Sequence, residues 1–203
     1  SSRFTAQLGG VSLMSLLIVQ LDKLWLMRVV PLESFGYYGL AWMMASGLYF
    51  LVNAGFDATY PRFSELVAHG SAAELRETFV RSCEWLAALV VPVGAVLVTW
   101  SSTLVWLWTH NATVARAAGP IASLLAFGVT LHSFGSLPYA LQLANKRAEW
   151  AFAAHWLALL LFLPTSAVLS SRFGGQGAAV AWVLLQIAWL TLWTAPTNGR
   201  LVP

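Results

Sequence analysis

Residues 8–30, LGGVSLMSLLIVQLDKLWLMRVV, form an apolar run broken by an acid and a base side by side, Asp22-Lys23. A helix crosses the hydrocarbon core of a bilayer with about 20 residues, so this run is long enough to span. Ionisable groups at that depth cost roughly 2.5–3.5 kcal/mol each on insertion scales and face other helices or a wet cavity rather than lipid. The pair therefore restricts the chain to folds in which this helix has protein or water on one side. On a helical wheel Ser12, Ser15, Gln20, Asp22 and Lys23 share one arc of about 160°. Arg28 lies opposite, close enough to the end to reach the headgroups.

Five more apolar runs follow, which gives an all-α, polytopic membrane protein with spans at residues 8–30, 35–59, 83–107, 114–143, 150–170 and 178–194. Charged residues make up only 9% of the chain, against about 25% in an ordinary soluble domain. Several of the eleven tryptophans (Trp85, Trp106, Trp108, Trp150, Trp193) fall near segment ends, as in interfacial aromatic belts. The net charge of +3 is spread over loops, so it is not a nucleic-acid footprint. The single Cys83 excludes an internal disulfide and a cysteine metal cluster. No cleavable signal segment is expected at the start. The chain opens at Ser1 without an initiator methionine, as a piece of a longer protein would.

The connections are short. Pro31 stops one helix and Ser34 is expected to cap the next. Residues 61–82 form the longest polar stretch, read as a cytoplasmic loop in which Ser71-Ala72-Ala73-Glu74 opens a short amphipathic helix as a capping box. Turns are expected at residues 110–113, 145–149 and 171–177, and Pro92 and Pro164 are candidate flexure points. The chain reads as a single transmembrane lobe, with no room for a soluble domain. With the N-terminus inside, Arg3, Arg62, Arg76, Arg81, Lys146, Arg147 and Arg200 are cytoplasmic, against Arg28, Arg116 and Arg172 opposite. That bias puts both termini in the cytoplasm.

Polar groups near mid-membrane are Asn53 and Asp57 in the second span, Thr130 and His132 in the fourth, His155 in the fifth and Gln186 in the sixth. Gln20, Asn53, His132 and Gln186 are candidate cavity-lining residues. Thr130, His155 and Gln186 also suit plain interhelical hydrogen bonding, worth about 0.6–2 kcal/mol a contact.

The stretch QLDKLWLMRVVPLESFGYYGLAWMMASGLYFLVNAGFDATYPRFSELVA resembles the opening of the second half of bacterial polysaccharide flippases, the O-antigen and exopolysaccharide exporters. These belong to the superfamily that includes the multidrug and toxic compound extrusion transporters. The resemblance rests on Gln20-Leu21-Asp22-Lys23, Phe35-Gly36-Tyr37-Tyr38 and Pro61-Arg62-Phe63, with Gly177-Ala178-Ala179-Val180-Ala181-Trp182 near the end. It is specific over residues 20–67 and weak after about residue 85. It implies the C-terminal lobe of a two-lobed exporter in the bacterial inner membrane, completed by a missing N-terminal lobe or a second copy. The implied activity is translocation of an undecaprenyl-pyrophosphate-linked oligosaccharide from the cytoplasmic to the periplasmic leaflet, with polymerase components of the pathway as further partners. Under that resemblance Lys23, Arg62 and Arg81 are candidates for substrate binding, and Asp22 and Asp57 for binding a coupling ion.

The alternatives are a drug–cation antiporter lobe of the same superfamily and a membrane assembly subunit that moves nothing. An intramembrane serine protease is not expected, because Gly135-Ser136-Leu137-Pro138 lacks the second glycine of that motif. His110, His132 and His155 include no H-x-x-x-H pair for a metal. No cofactor, metal, catalytic residue or nucleic-acid partner is expected.

Overall fold

The computed structural model describes residues 2–146 and 148–194; within these, the side chains of 2–8, 11, 12, 19, 22, 148–151 and 193 lie outside the description. Arg147 and Arg200 fall outside the described residues altogether, as do the side chains of Arg3 and Asp22.

Six α-helices account for almost all of the described chain, and no strand forms among them: α1 (Ser2–Val29), α2 (Leu32–Ser46), α3 (Leu48–His69), α4 (Ala72–Thr109), α5 (Ala112–Ala144) and α6 (Ala148–Ala188), followed by a π-helical turn (Trp189–Thr194). Four stretches are long and apolar enough to cross a membrane: Leu32–His69, Ala72–Thr109, Ala112–Ala144 and Phe152–Leu192. The first of these runs α2 into α3 through Gly47, whose backbone stays helical (φ −56°, ψ −30°). Large apolar side chains are exposed on all six α-helices, among them Leu13, Leu32, Phe50, Trp85, Phe127 and Leu160. Trp106 and Trp108 are also exposed, near the end of α4. Four apolar helices of this length are compatible with a multi-pass membrane protein.

α5 is the hub, packed against α2, α3, α4 and α6. Small residues make that possible, because they let backbones approach closely. Ala118, Gly119, Ala122, Ala126, Gly128, Gly135 and Ala140 are all buried along it. A Cβ at Gly119 would lie 2.7 Å from Ser102 Cα of α4. The Ser123 hydroxyl then crosses the interface and donates to the Val98 carbonyl of α4 at 2.7 Å.

α6 is one run of 41 residues, yet it folds back on itself. Gly174 has φ 59° and ψ −138°, a backbone conformation open to glycine and costly for any residue with a Cβ. Phe162 meets Trp182 at 6.1 Å, and His155 meets Trp189 at 4.9 Å between ring centroids. In an unbroken helix, 34 residues at about 1.5 Å each would hold the latter pair roughly 50 Å apart. The two halves of α6 are therefore antiparallel, and the turn expected at 171–177 is this reversal. The expected turn at 110–113 is also present. His110 closes α4 in the left-handed region, and the Asn111 side chain accepts from the amides of Thr113 (2.9 Å) and Val114 (3.3 Å).

Several local expectations give way. Ser34 does not cap α2; Pro31 occupies the cap position with φ −56° and ψ 149°, and the helix begins at Leu32. The fixed φ of proline makes that sharp start. The stretch 61–82 is helical except for Gly70 and Ser71, because α3 continues through Pro61 and α4 starts at Ala72. Ser71 makes no capping bond. Glu74, its expected partner, instead accepts from Arg62 of α3. Phe63, Leu66, Leu75 and Phe79 are buried between the two helices, with Phe63 and Phe79 6.0 Å apart. The polar stretch is thus a packed helical hairpin rather than a loop. In α4 the non-helical residue is Trp100 (φ −111°, ψ 17°), not Pro92.

Candidate functional site

Three helices present the same pattern to one space. Tyr49, Val52, Asn53 and Phe56 of α3 are spaced i, i+3, i+4, i+7, which sets them on one face. His132, Gly135, Ser136 and Tyr139 of α5 repeat the spacing, and so do Trp182, Leu185 and Gln186 at the end of α6 with Trp189 of the π turn. In each set a ring stands at the first and last positions and a hydroxyl or amide at i+4. His155 and Ala158 from the first half of α6, with Ser15 and Ile18 of α1, complete a half-open chamber of about 430 Å³. Its volume lies in the range of small-molecule sites, about 300–1,000 Å³.

The π turn begins at Trp189, and the Thr194 hydroxyl donates to the Trp189 carbonyl at 3.3 Å. Single π turns inside helices recur at functional sites because they re-aim side chains. Here the turn sets Trp189 edge-on to His155, while Gly135 leaves space opposite the indole: a Cβ there would lie 3.4 Å from Trp189 Cδ1. His132 Nδ1 lies 3.3 Å from Gln186 Oε1, with Tyr49 against the imidazole at 5.4 Å. Tyr139 stands between Phe56 (6.1 Å) and His155 (6.4 Å). The chamber offers aromatic faces beside amide, hydroxyl and imidazole groups. No carboxylate, lysine or arginine is among its described lining residues.

Of the sequence-predicted residues, the fold brings together Asn53, His132 and Gln186 in this chamber. Gln20 is exposed on α1 and is not part of the lining. Asp57 is exposed one turn beyond Asn53 and also lies outside the lining. Asp22 is on α1, but its side chain is outside the described ones. Lys23 sits with Nζ 4.8 Å from the centre of the Trp42 ring. Trp42 packs edge-on against Trp182 at 5.3 Å, so Lys23 lies one aromatic pair behind the chamber wall. Arg62 is exposed and paired with Glu65 (2.8 Å) and Glu74. It holds the Glu65 carboxyl below the usual carboxylate range, first through the hydrogen bond and then through its charge. Arg81 lines a shallow surface groove at the start of α4 with Arg76, Glu77 and Glu84. Lys23, Arg62 and Arg81 therefore do not converge. Thr130 bonds its own helix, donating to the Ala126 carbonyl at 2.8 Å.

Sequence reasoning missed Tyr49, Tyr139, Trp182 and Trp189 as chamber walls and treated His155 as a helix-packing residue. The ring–polar–ring spacing on three helices was the available signal. No group of three or more histidine, cysteine, aspartate or glutamate side chains able to hold a metal occurs among the described residues.

No protein-family model matches the chain, and neither a curated protein nor a solved structure does. Fold and chamber together define an all-helical protein whose long apolar helices are compatible with multi-pass membrane insertion.

Proposed function

We propose that this chain is one lobe of a bacterial inner-membrane translocator that carries lipid-linked oligosaccharide between leaflets, ion-coupled, with both termini cytoplasmic. The observation that carries the reading is the chamber: aromatic faces beside amide, hydroxyl and imidazole groups, set among helices whose outer surfaces are apolar. Sugar rings bury their C–H faces on aromatics and satisfy their hydroxyls with such polar groups, whereas hydrocarbon offers neither.

In this reading α6 contributes two spans. Its 41 residues would measure about 60 Å as a rod, twice the roughly 30 Å hydrocarbon core, and they reverse at Gly174. With α1, the α2–α3 rod, α4 and α5, that makes six. Asn53 and Asp57 share one face of α3 and both are exposed. Such groups are costly against lipid, which supports a second lobe, or a second copy, over that face. Lys23 serves through Trp42, holding the wall at Trp182, and Arg62 and Arg81 attract anionic headgroups at the cytoplasmic mouth. The lack of a carboxylate in the described lining weighs against a drug–cation antiporter.

The test is complementation of a flippase-null bacterium, scored by surface polysaccharide, with this chain alone and with a matching N-terminal lobe. Rescue in either arm is expected. Failure of both, with the protein correctly inserted, overturns the reading.

A further inference from the structure

The described lining of the chamber holds two imidazoles and no other group that changes charge near neutral pH. They reach it from different helices, His132 from α5 and His155 from α6. Gln186 faces His132 from the far half of α6 and Tyr49 faces it from α3. Because Gln186 Oε1 is an acceptor, His132 Nδ1 carries a hydrogen and donates, which leaves the lone pair of the neutral ring on Nε2. His155 is faced by Tyr139 of α5 and by Trp189 of the π turn. A protonated His132 keeps the hydrogen bond from Nδ1 to Gln186 Oε1 and gains a second donor at Nε2, while the His155 ring stands 4.9 Å from the Trp189 indole. Ser15 of α1 also lines the chamber. Lys23 stands behind the Trp42–Trp182 pair, and Asp57 is exposed outside the lining. None of the three cations named from the sequence is among the described lining residues.

We infer that His132 and His155 make the chamber a proton-gated anion site, whose ligand is the phosphate end of an anionic amphiphile. With both rings neutral the described lining carries no formal charge and suits sugar hydroxyls. When a hydronium ion gives its proton to an imidazole nitrogen, water leaves and an imidazolium remains; the chamber then attracts phosphate oxygens. Loss of that proton to water returns the neutral state and releases the anion. The purpose of this site rests on the translocation reading. Its chemistry can be tested without any transport. It also makes the histidines, rather than Asp22 or Asp57, the candidate coupling groups.

The probe is farnesyl pyrophosphate, titrated by calorimetry into the full chain in neutral detergent at about pH 5.5 and pH 8, a window in which histidine changes charge. The probe becomes more anionic as pH rises, since phosphoester groups titrate near pH 6. A fixed cation would therefore bind it more tightly at high pH. The expected result has the opposite sign: affinity at least about fivefold higher at pH 5.5, as one added charge at contact distance would give. His132→Gln and His155→Gln should each reduce that ratio, and the double variant should abolish it, while Asp57→Asn leaves it intact. Equal or tighter binding at pH 8 in the parent chain overturns the inference, as does a pH ratio that survives the double substitution. Should the glutamine variants misfold, the parent chain still decides the matter. Nuclear magnetic resonance of ring-labelled histidine must then show farnesyl pyrophosphate raising the protonation midpoint of two of the four histidines, and no such rise refutes the site. A correct pH ratio in a chain that fails complementation would retire the translocation reading alone.

Discussion

Gly128→Ala probes the chamber wall most directly. A methyl at this position of α5 would stand 2.5 Å from Cδ1 and 2.9 Å from Nε1 of Trp182. An ordinary carbon contact is about 3.5–4.0 Å, so the indole must withdraw by about 1 Å. Trp182 is flanked edge-on by Trp42 at 5.3 Å and Phe162 at 6.1 Å. The open direction is the chamber itself. Overpacking of this kind costs about 1–3 kcal/mol, offset by the roughly 0.5–1 kcal/mol that alanine gains over glycine inside a helix. The net expectation is a loss of up to about 2.5 kcal/mol. For a chain of this length that corresponds to a fall of up to about 10 °C in the melting midpoint. Gly39→Ala is the control, because a Cβ at Gly39 meets nothing within 4 Å and the position is exposed. That variant should be stabilised by about 0.5–1 kcal/mol. Both are measured by thermal unfolding in the same detergent, followed by helical circular dichroism, with tryptophan emission recorded alongside. If Gly128→Ala is stabilised as much as Gly39→Ala and its emission is unchanged, the tight α5–Trp182 packing, and with it this chamber wall, is refuted.

Two further outcomes concern the hairpin and the half-buried cation Lys23. Phe63→Ala should remove about 3–5 kcal/mol of packing between α3 and α4, whereas Arg62→Ala removes only exposed, solvent-screened ion pairs and should change protection far less; hydrogen exchange of residues 60–82 compares them. Because Arg62 depresses the Glu65 carboxyl, that small contribution is present above the unfolded carboxylate range and fades as pH falls through the lowered value, so Arg62→Ala should flatten the acid dependence of hairpin protection. Lys23→Arg keeps a cation over Trp42 and should preserve polysaccharide export in a complete transporter, whereas Lys23→Ala loses a contact of about 0.5–2 kcal/mol and abolishes export with insertion intact. Equal export from the two variants, in the complementation assay, removes Lys23 from the site.

The helices were legible because apolar length is a property of composition along the chain. The turns at His110-Asn111 and at Gly174 were legible because asparagine and glycine have specific backbone uses. What misled was polarity read without pairing. Residues 61–82 carry enough charge to look like a loop, but Phe63, Leu66, Leu75 and Phe79 supply a buried seam between two helices, and Arg62 takes the glutamate that a capping box would use. The chamber was half visible for a similar reason. Asn53, His132 and Gln186 stand out in apolar segments as polar residues, whereas Tyr49, Tyr139, Trp182 and Trp189 look like ordinary core or interface aromatics. Only the packing of three helices shows that their rings and polar groups share one face each.

That packing follows from α5. Four helices contact it along stretches in which alanine and glycine predominate, so their backbones lie close and little volume is left between them. Volume reappears where α5 changes character, from Gly128 to Tyr139, because His132 and Tyr139 are large and Gly135 and Ser136 between them are small. A large residue on a tight helix face holds its neighbours off, and the adjacent small residues then border space instead of filling it. The chamber is what remains beside Gly135 once Trp189 is turned toward His155. Filling Gly135 would close it, whereas enlarging Ala122 would separate helices with no chamber to lose. The site is thus a local relaxation of an otherwise tight helix interface, and its polar residues lie at the one stretch where α5 gives them room.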